Sequence, residues 1–349
     1  IAIGYAALST QNFTTATNGY NVGIGHAAGN NVTTGLYNTL IGGLAGDALT
    51  DADHNVAIGF NALSSDTLGS ASIAIGKGAL NGQNFTTATT AYNVAVGHSA
   101  GTSVSTGGSN TLVGGLAGDA ITTSVQNTAL GYSALSAACG SSNTSVGGES
   151  LLVCTGASNT AIGKDAGLNN TSGGTNIFIG FQSGITGSPG GNQTTGNGGI
   201  FLGDENISDA YIQVDWTVAS DERDKTDFVD LDLGLDFVKA LEPVTYYWDK
   251  RSKYGDKTAE DYDLNAQTPD GTHKEDWMDV GFKAQSVQTL EEAAGYKITD
   301  KKNLTVSLTE DGKQMGLQYS KFVPILVKAI QDQDAIIQSL TARIAALES

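Results

Sequence analysis

The side chains able to do chemistry fall into two groups along this chain. His26 and His98 hold equivalent places after Gly25 and Gly97 and read either as a metal pair or, the favoured reading, as exposed loop histidines. Cys139 and Cys154 suit a disulfide if the geometry allows, or two buried thiols filling small core positions, which is favoured. Asp47, Asp51, Asp53, Asp66 and Asp119 contain the raw material of a paired-carboxylate glycosidase. The equivalence of Asp47 and Asp119 speaks instead for decoration of a repeat. Phe13, Tyr20, Tyr37, Phe85 and Tyr92 offer faces for a stacked sugar ring, or caps for longer loops. The second group is Ala219-Ser-Asp-Glu-Arg-Asp-Lys-Thr-Asp227. Taken alone it reads as a helix start, with Ser220 as N-cap and acids in the first turn.

The elements that hold the first group are repeats. The core Asn-(Thr/Val)-(small or Leu)-(Ile/Val/Leu)-Gly recurs from Asn21-Val-Gly-Ile-Gly25 and Asn38-Thr-Leu-Ile-Gly42 through Asn176-Ile-Phe-Ile-Gly180, with degenerate copies ending at Gly4, Gly76 and Gly203. The glycines Gly4, Gly25, Gly42, Gly59, Gly76, Gly97, Gly114, Gly131, Gly147 and Gly163 are almost evenly spaced, with a wider interval before Gly25 and again before Gly97. A small residue such as Ala45 or Ala62 follows each three positions later. Gly4, Gly25, Gly42 and Gly59 correspond one by one to Gly76, Gly97, Gly114 and Gly131, and Gln11–Thr17 reappears intact as Gln83–Thr89. A four-turn block has been duplicated.

Each core reads as a short strand with Thr/Val and Ile on one face. The Gly that follows permits a bend at positive φ, and the small residue allows close backbone approach. So short a strand cannot bury its face alone, so the copies must stack as a solenoid, with the Asn side chains forming a hydrogen-bonded ladder. About eleven rungs at roughly 4.8 Å give a rod on the order of 50 Å long. These repeats resemble the heads of trimeric autotransporter adhesins and equally the shafts of bacteriophage tail fibres, which implies a trimeric β-roll or β-helix. No Gly-Gly-x-Gly-x-Asp calcium pattern appears, so neither metal nor cofactor is expected.

Composition agrees with two differently built halves. Gly accounts for 46 of 349 residues and Pro for 4, which excludes collagen, and two Cys exclude a disulfide scaffold. Residues 1–219 carry two lysines against eleven carboxylates, whereas residues 220–349 carry sixteen cations against twenty-five. A net charge of −18 argues against nucleic acid, and no apolar run is long enough for membrane insertion. Ile1 stands inside a running motif, which reads as a fragment.

At the junction, Ala210-Tyr-Ile-Gln-Val-Asp-Trp216 is strand-like, and Ser220, Asp221, Arg223 and Lys225 match the Ser-Asp-x-Arg-x-Lys opening of the peptidase S74 family, which the chain resembles. The resemblance continues through Leu235–Trp248 (a helix, then a Pro-led strand), Val280–Val287 and Leu317-Gln-Tyr-Ser320 before a terminal helix. Asp224 stands where members often carry an apolar residue. The resemblance implies an intramolecular chaperone that cuts itself between Ala219 and Ser220, with Ser220 as nucleophile and Lys225 as general base. A serine hydroxyl needs such a base, and lysine serves once desolvation or a neighbouring cation drives it toward neutrality. Arg223 would push that way; Asp221, Glu222, Asp224 and Asp227 would push against it. Five positions apart, Ser220 and Lys225 share neither a helix face nor a strand face, so a turn must join them.

Finally, Val323, Leu326, Ile330, Gln333, Ile337, Leu340, Ile344 and Leu347 alternate at spacings of three and four, a parallel coiled-coil seam with one polar position. The a/d pattern alone favours a dimer; the two family resemblances and the Arg343–Glu348 pattern, with Arg343 reaching Glu348 of a neighbouring chain, favour a homotrimer. The expected organisation is a β-solenoid over 1–204, a connecting strand over 205–219, a small α+β chaperone domain over 220–321 and a coiled-coil helix over 322–349. The expected protein is the distal part of a phage tail fibre or tailspike, assembled in the host cytoplasm and carried on the virion. Its partners would be upstream tail proteins and a host receptor, either a glycan or an outer-membrane component. The alternatives are a bacterial trimeric adhesin passenger, a structural shaft without receptor contact and a polysaccharide depolymerase.

Overall fold

The computed structural model describes every residue except 215, 258, 260 and 349, so Asp215 of the strand-like stretch and Ser349 of the terminal segment lie outside the described residues. The chain divides into two compact units, Ile1–Asn206 and Ile207–Ser349.

The first unit is a β-solenoid. Twelve strands of two or three residues, from Ala2–Ile3 to Ile200–Leu202, form one parallel sheet in the order of the chain. The register is uniform, Thr39 facing Val56, Leu40 facing Ala57 and Ile41 facing Ile58. The face turned inward is the middle residue of each strand: Leu40, Ala57, Ala74, Ala95, Leu112, Ala129, Ala161 and Phe178 are fully enclosed. The Thr/Val and Ile positions flank it and point outward, because side chains alternate along a strand. The small residues three positions after the rung glycine, Ala28, Ala45, Ala62, Ala79 and their equivalents, line the core beside larger residues four or seven positions after it, such as Leu63, Leu80, Val32, Leu49, Val104 and Ile121.

Two devices hold the turns together. The first is the asparagine ladder. The backbone N–H of Asn55 donates to Oδ1 of Asn38 at 2.9 Å, while Asn38 Nδ2 donates to the Ala52 carbonyl at 2.7 Å. The pattern recurs through Asn110, Asn127, Asn143, Asn159 and Asn176. Each ladder Oδ1 accepts the next turn's backbone N–H, and most of the amides also donate to a loop carbonyl, as buried polar groups generally must; Asn127 Nδ2 is the exception, buried without a partner. The second device is the rung glycine. Gly42 has φ +133, and a Cβ there would meet the Gly59 carbonyl oxygen at 2.5 Å. Neighbouring turns therefore approach backbone to backbone.

One turn breaks the ladder. Ser72 replaces the asparagine, and the side chain of Gln83 fills its place, donating to Ser72 Oγ at 3.0 Å and accepting from Asn93 Nδ2 at 2.9 Å. Gln83 also donates to the buried Asp66 at 2.6 Å, and Asp66 takes the backbone N–H of Phe85 at 2.9 Å. Gln83 lies seven residues after Gly76, the offset that Asp66 has after Gly59, and the extra residues of this turn follow it, between Phe85 and Thr89, where the pairing offset to the previous turn changes.

The second unit is a small α+β region ending in a long helix. Helix α1 (Leu235–Ala240) precedes an antiparallel pair, Val244–Tyr246 with Asp279–Gly281. Helix α2 (Ala284–Ala293) leads to a second pair, Val306–Leu308 with Met315–Leu317, and α3 spans Phe322–Glu348. Leu233, Phe237, Val287, Val306, Phe322 and Ile325 form the core. Helix α1 begins at Gly234, which has no capping side chain; Asp332 of α3 caps it instead, accepting the Leu235 N–H at 3.1 Å while bound to Lys328 at 2.6 Å. Buried Glu291 of α2 ties down the segment before the second pair, accepting from Thr305 N and Oγ1 at 2.7 and 2.5 Å and from Leu304 N at 3.2 Å. Among the described residues, the 205–219 segment forms no strand, because one chain supplies no neighbouring strand for it.

Candidate active site

The junction folds as one tight turn. Glu222–Asp224 is a single 3-10 turn, and its N-cap is Asp221, not Ser220. Asp221 wins because its carboxylate accepts the Arg223 backbone N–H at 2.9 Å and the Arg223 guanidinium at 2.6 Å. That bidentate pair, the arrangement arginine's planar fork favours, holds the Asp221 carboxyl below the usual carboxylate range. Ser220 is left out of the cap, with its hydroxyl available to another partner. Lys225 closes the turn in extended conformation, its N–H donating to the Glu222 carbonyl at 3.1 Å.

The turn therefore brings together two side chains that no regular element would. Lys225 Nζ donates to Ser220 Oγ at 2.6 Å and to the Ser220 carbonyl at 3.3 Å. Both residues are exposed. In this arrangement lysine is the donor, so its ammonium must lose a proton before it can take one from serine. Arg223, expected to weaken the lysine's hold on its proton, is instead engaged by Asp221. Ala219 and Ser220, the two sides of the expected cut, are exposed and lie outside regular structure.

The remaining candidates separate clearly. Cys139 and Cys154 are free and buried; burial pushes the Cys139 thiol up to about 12 and raises that of Cys154 as well. His26 stacks on Tyr5 at 5.5 Å between centroids, and no group of three or more His, Cys, Asp or Glu able to hold a metal occurs among the described residues. Asp66 is enclosed in the Gln83 network and out of a substrate's reach. Asp47 is partly buried, which raises its carboxyl. Phe85 is buried and offers no platform, unlike exposed Tyr20 and Tyr92. Tyr20, Tyr37 and His54 stack face to face at 5.6 and 4.9 Å, so Tyr37 presents its edge, not its face, to solvent.

Three supports went unread in the sequence. Glu291 and Asp332 act across long stretches of chain, and only their position, each within an amphipathic helix next to apolar neighbours, hinted at their part. Gln83 carried a stronger signal, since it falls in the duplicated segment beside the interior turn that has Ser72 in place of its asparagine.

Residues 220–296 match the Peptidase_S74 family model, chaperone of endosialidase. No curated protein and no solved structure matches the chain. A β-solenoid followed by a Peptidase_S74 region fits a tailspike or fibre with a C-terminal chaperone. Ser220 is the first matched residue, so the Ser220–Lys225 turn opens the matched region.

Proposed function

We propose that this chain is the distal part of a phage tail fibre or tailspike, that it binds the host cell surface as a homotrimer, and that its C-terminal unit cuts the chain once between Ala219 and Ser220. The observation that carries the reading is the 2.6 Å contact of Lys225 Nζ with Ser220 Oγ at the opening of the family match. The neutral lysine takes the hydroxyl proton as Oγ attacks the carbonyl carbon of Ala219, one bond away from its own amide nitrogen. The ring so formed collapses by breaking the C–N bond, and the proton held by lysine passes to the departing amine. Water then hydrolyses the ester, leaving a carboxylate on Ala219 and a new amino terminus at Ser220. The exposed lysine supports coupling to assembly, because only a covered ammonium releases its proton readily at neutral pH.

Two features support the trimer. Val323, Leu326, Ile330, Ile337, Leu340, Ile344 and Leu347 all lie on α3 and are exposed in the single chain, an unpartnered seam of the coiled-coil kind. The outer face of the solenoid sheet is uncharged along all twelve strands, with Ile3, Ile73, Leu130, Ile162, Ile179 and Leu202 exposed. So long an apolar face marks an interface in most proteins. Virion attachment, upstream tail proteins and a glycan or outer-membrane receptor complete the proposal.

The test is intact mass under denaturing conditions for wild type, Ser220→Ala and Lys225→Ala. Two wild-type fragments meeting at Ala219/Ser220, with both variants whole, are expected. A wild-type chain that stays whole after trimerising would sink the catalytic reading and leave the C-terminal unit a permanent cap.

A further inference from the structure

The segment immediately before Ser220 has the pattern of a strand and no partner. Ile212, Val214, Trp216 and Val218 occupy every second position, and they are 52, 74, 75 and 78 % exposed. Between them stand Gln213, Asp215, Thr217 and Ala219. Among the described residues, no backbone N–H or carbonyl of 207–219 pairs with another backbone group. Alternation of this kind specifies a strand with one dry face, and an open row of backbone groups beside it is a template for pairing with another chain.

The chain itself indicates what covers this face. The second unit also carries the unpartnered seam of α3, whose natural complement is a copy of itself. Once those helices associate, tethered copies of 211–218 meet at an effective concentration of order millimolar. The apolar positions carry no charge that a foreign partner would need to match. Parity adds the functional consequence. Residues 212, 214, 216 and 218 share one face of a pleat, and residue 220 falls on that same face if the strand continues. Ser220 Oγ would then point into the dry space between chains, with Lys225 Nζ bound to it.

We propose that residues 211–218 form an inter-chain strand paired with the same segment of neighbouring copies, and that this pairing completes the Ser220–Lys225 site by carrying it onto the covered face. The second half of the proposal rests on the cleavage reading given above; the first does not. Pairing removes water from around the ammonium, which is the condition for lysine to act as base. A single chain holds the two side chains in contact yet leaves them wet, so cleavage waits for the neighbours.

The experiment uses the full chain with Ser220→Ala, so that it stays whole. Val214→Cys, Trp216→Cys and Gln213→Cys, each oxidised with copper phenanthroline, should give inter-chain cross-links on a denaturing gel, because paired strands bring the same position of neighbouring copies together on both faces. Amide hydrogen exchange of 211–218 should be slowed at least a hundredfold relative to an unstructured peptide. Absence of cross-links at 213 and 214, or free exchange in the assembled chain, would overturn the strand. In the cleaving background, Val214→Lys should slow cleavage at least tenfold while Gln213→Lys leaves it unchanged; wild-type cleavage by Val214→Lys would overturn the coupling. Cross-links in a chain that never cleaves would uphold the strand and refute the dyad.

Discussion

At the level of single residues, the junction shows how a local competition brings Ser220 and Lys225 into contact. Ser220 and Asp221 are both good N-caps, but Asp221 alone recruits the Arg223 guanidinium, so the serine hydroxyl is released toward Lys225. Asp221→Ala should therefore untie the turn and slow cleavage at least tenfold, read as the fraction of cut chain against time. Arg223→Ala should slow it as well, though less than Asp221→Ala, because Asp221 then loses the guanidinium but keeps the residue 223 backbone N–H. The rod makes its own single-residue prediction. Alkylation of native protein at pH 8 should leave Cys139 and Cys154 unmodified, with two alkyl groups added per chain only after denaturation, since burial raises both thiols. The sign of the linkage follows. The buried thiols favour the folded state fully below their ordinary value near 9 and lose that contribution as pH rises toward about 12, so the rod should weaken on the alkaline side.

At the level of elements, stability rests on repeated polar contacts as much as on apolar ones. Asn110→Ala would remove the acceptor of the Asn127 N–H and the donor to the Ser124 carbonyl. Two buried groups left without partners cost about 2–4 kcal/mol together, which faster thermal unfolding of the rod should register. Gly42→Ala is worse placed, because positive φ and the Gly59 carbonyl at 2.5 Å strain the same atom; separation of adjacent turns and failure to form soluble rod are expected. In the second unit, Glu291→Gln would set an amide N–H against the backbone donor of either residue 304 or residue 305, which use different carboxylate oxygens. A loss of about 2–3 kcal/mol should shift the urea midpoint followed by the fluorescence of Trp248 and Trp277.

For the whole molecule, the governing problem is register. Near-identical turns can pair one repeat out of place, and the duplication of Gln11–Thr17 as Gln83–Thr89 makes a slip by one whole block nearly silent in sequence. The Asp66–Gln83–Ser72–Asn93 network is a local mark that only one pairing satisfies. In the proposed trimer the terminal helix would supply the mark between chains. Ile337→Asp together with Leu340→Asp should give monomers by light scattering, and an uncut chain, because three carboxylates per layer cannot share a dry seam.

Much of this was legible in the chain. The rung glycines, the small residues behind them and the asparagine ladder follow from a period that repeats a dozen times; the helix and Pro-led strand within 235–248 came from the family resemblance and the terminal helix from the heptads, while Ala284–Ala293 and the pair Val306–Leu308 with Met315–Leu317 were not read. What the chain alone left open was which face of each short strand turns inward. The strand has the same alternation read either way, and packing chose the middle residue because only a small or well-fitted side chain such as Ala57 or Leu40 fits between opposite walls of a narrow coil. The sequence likewise placed Ser220 and Lys225 five positions apart without the path between them. The tertiary structure decided that path through one arginine that prefers an aspartate to a lysine's neighbourhood, since opposite charges in a planar fork outweigh any arrangement that leaves the guanidinium beside another cation.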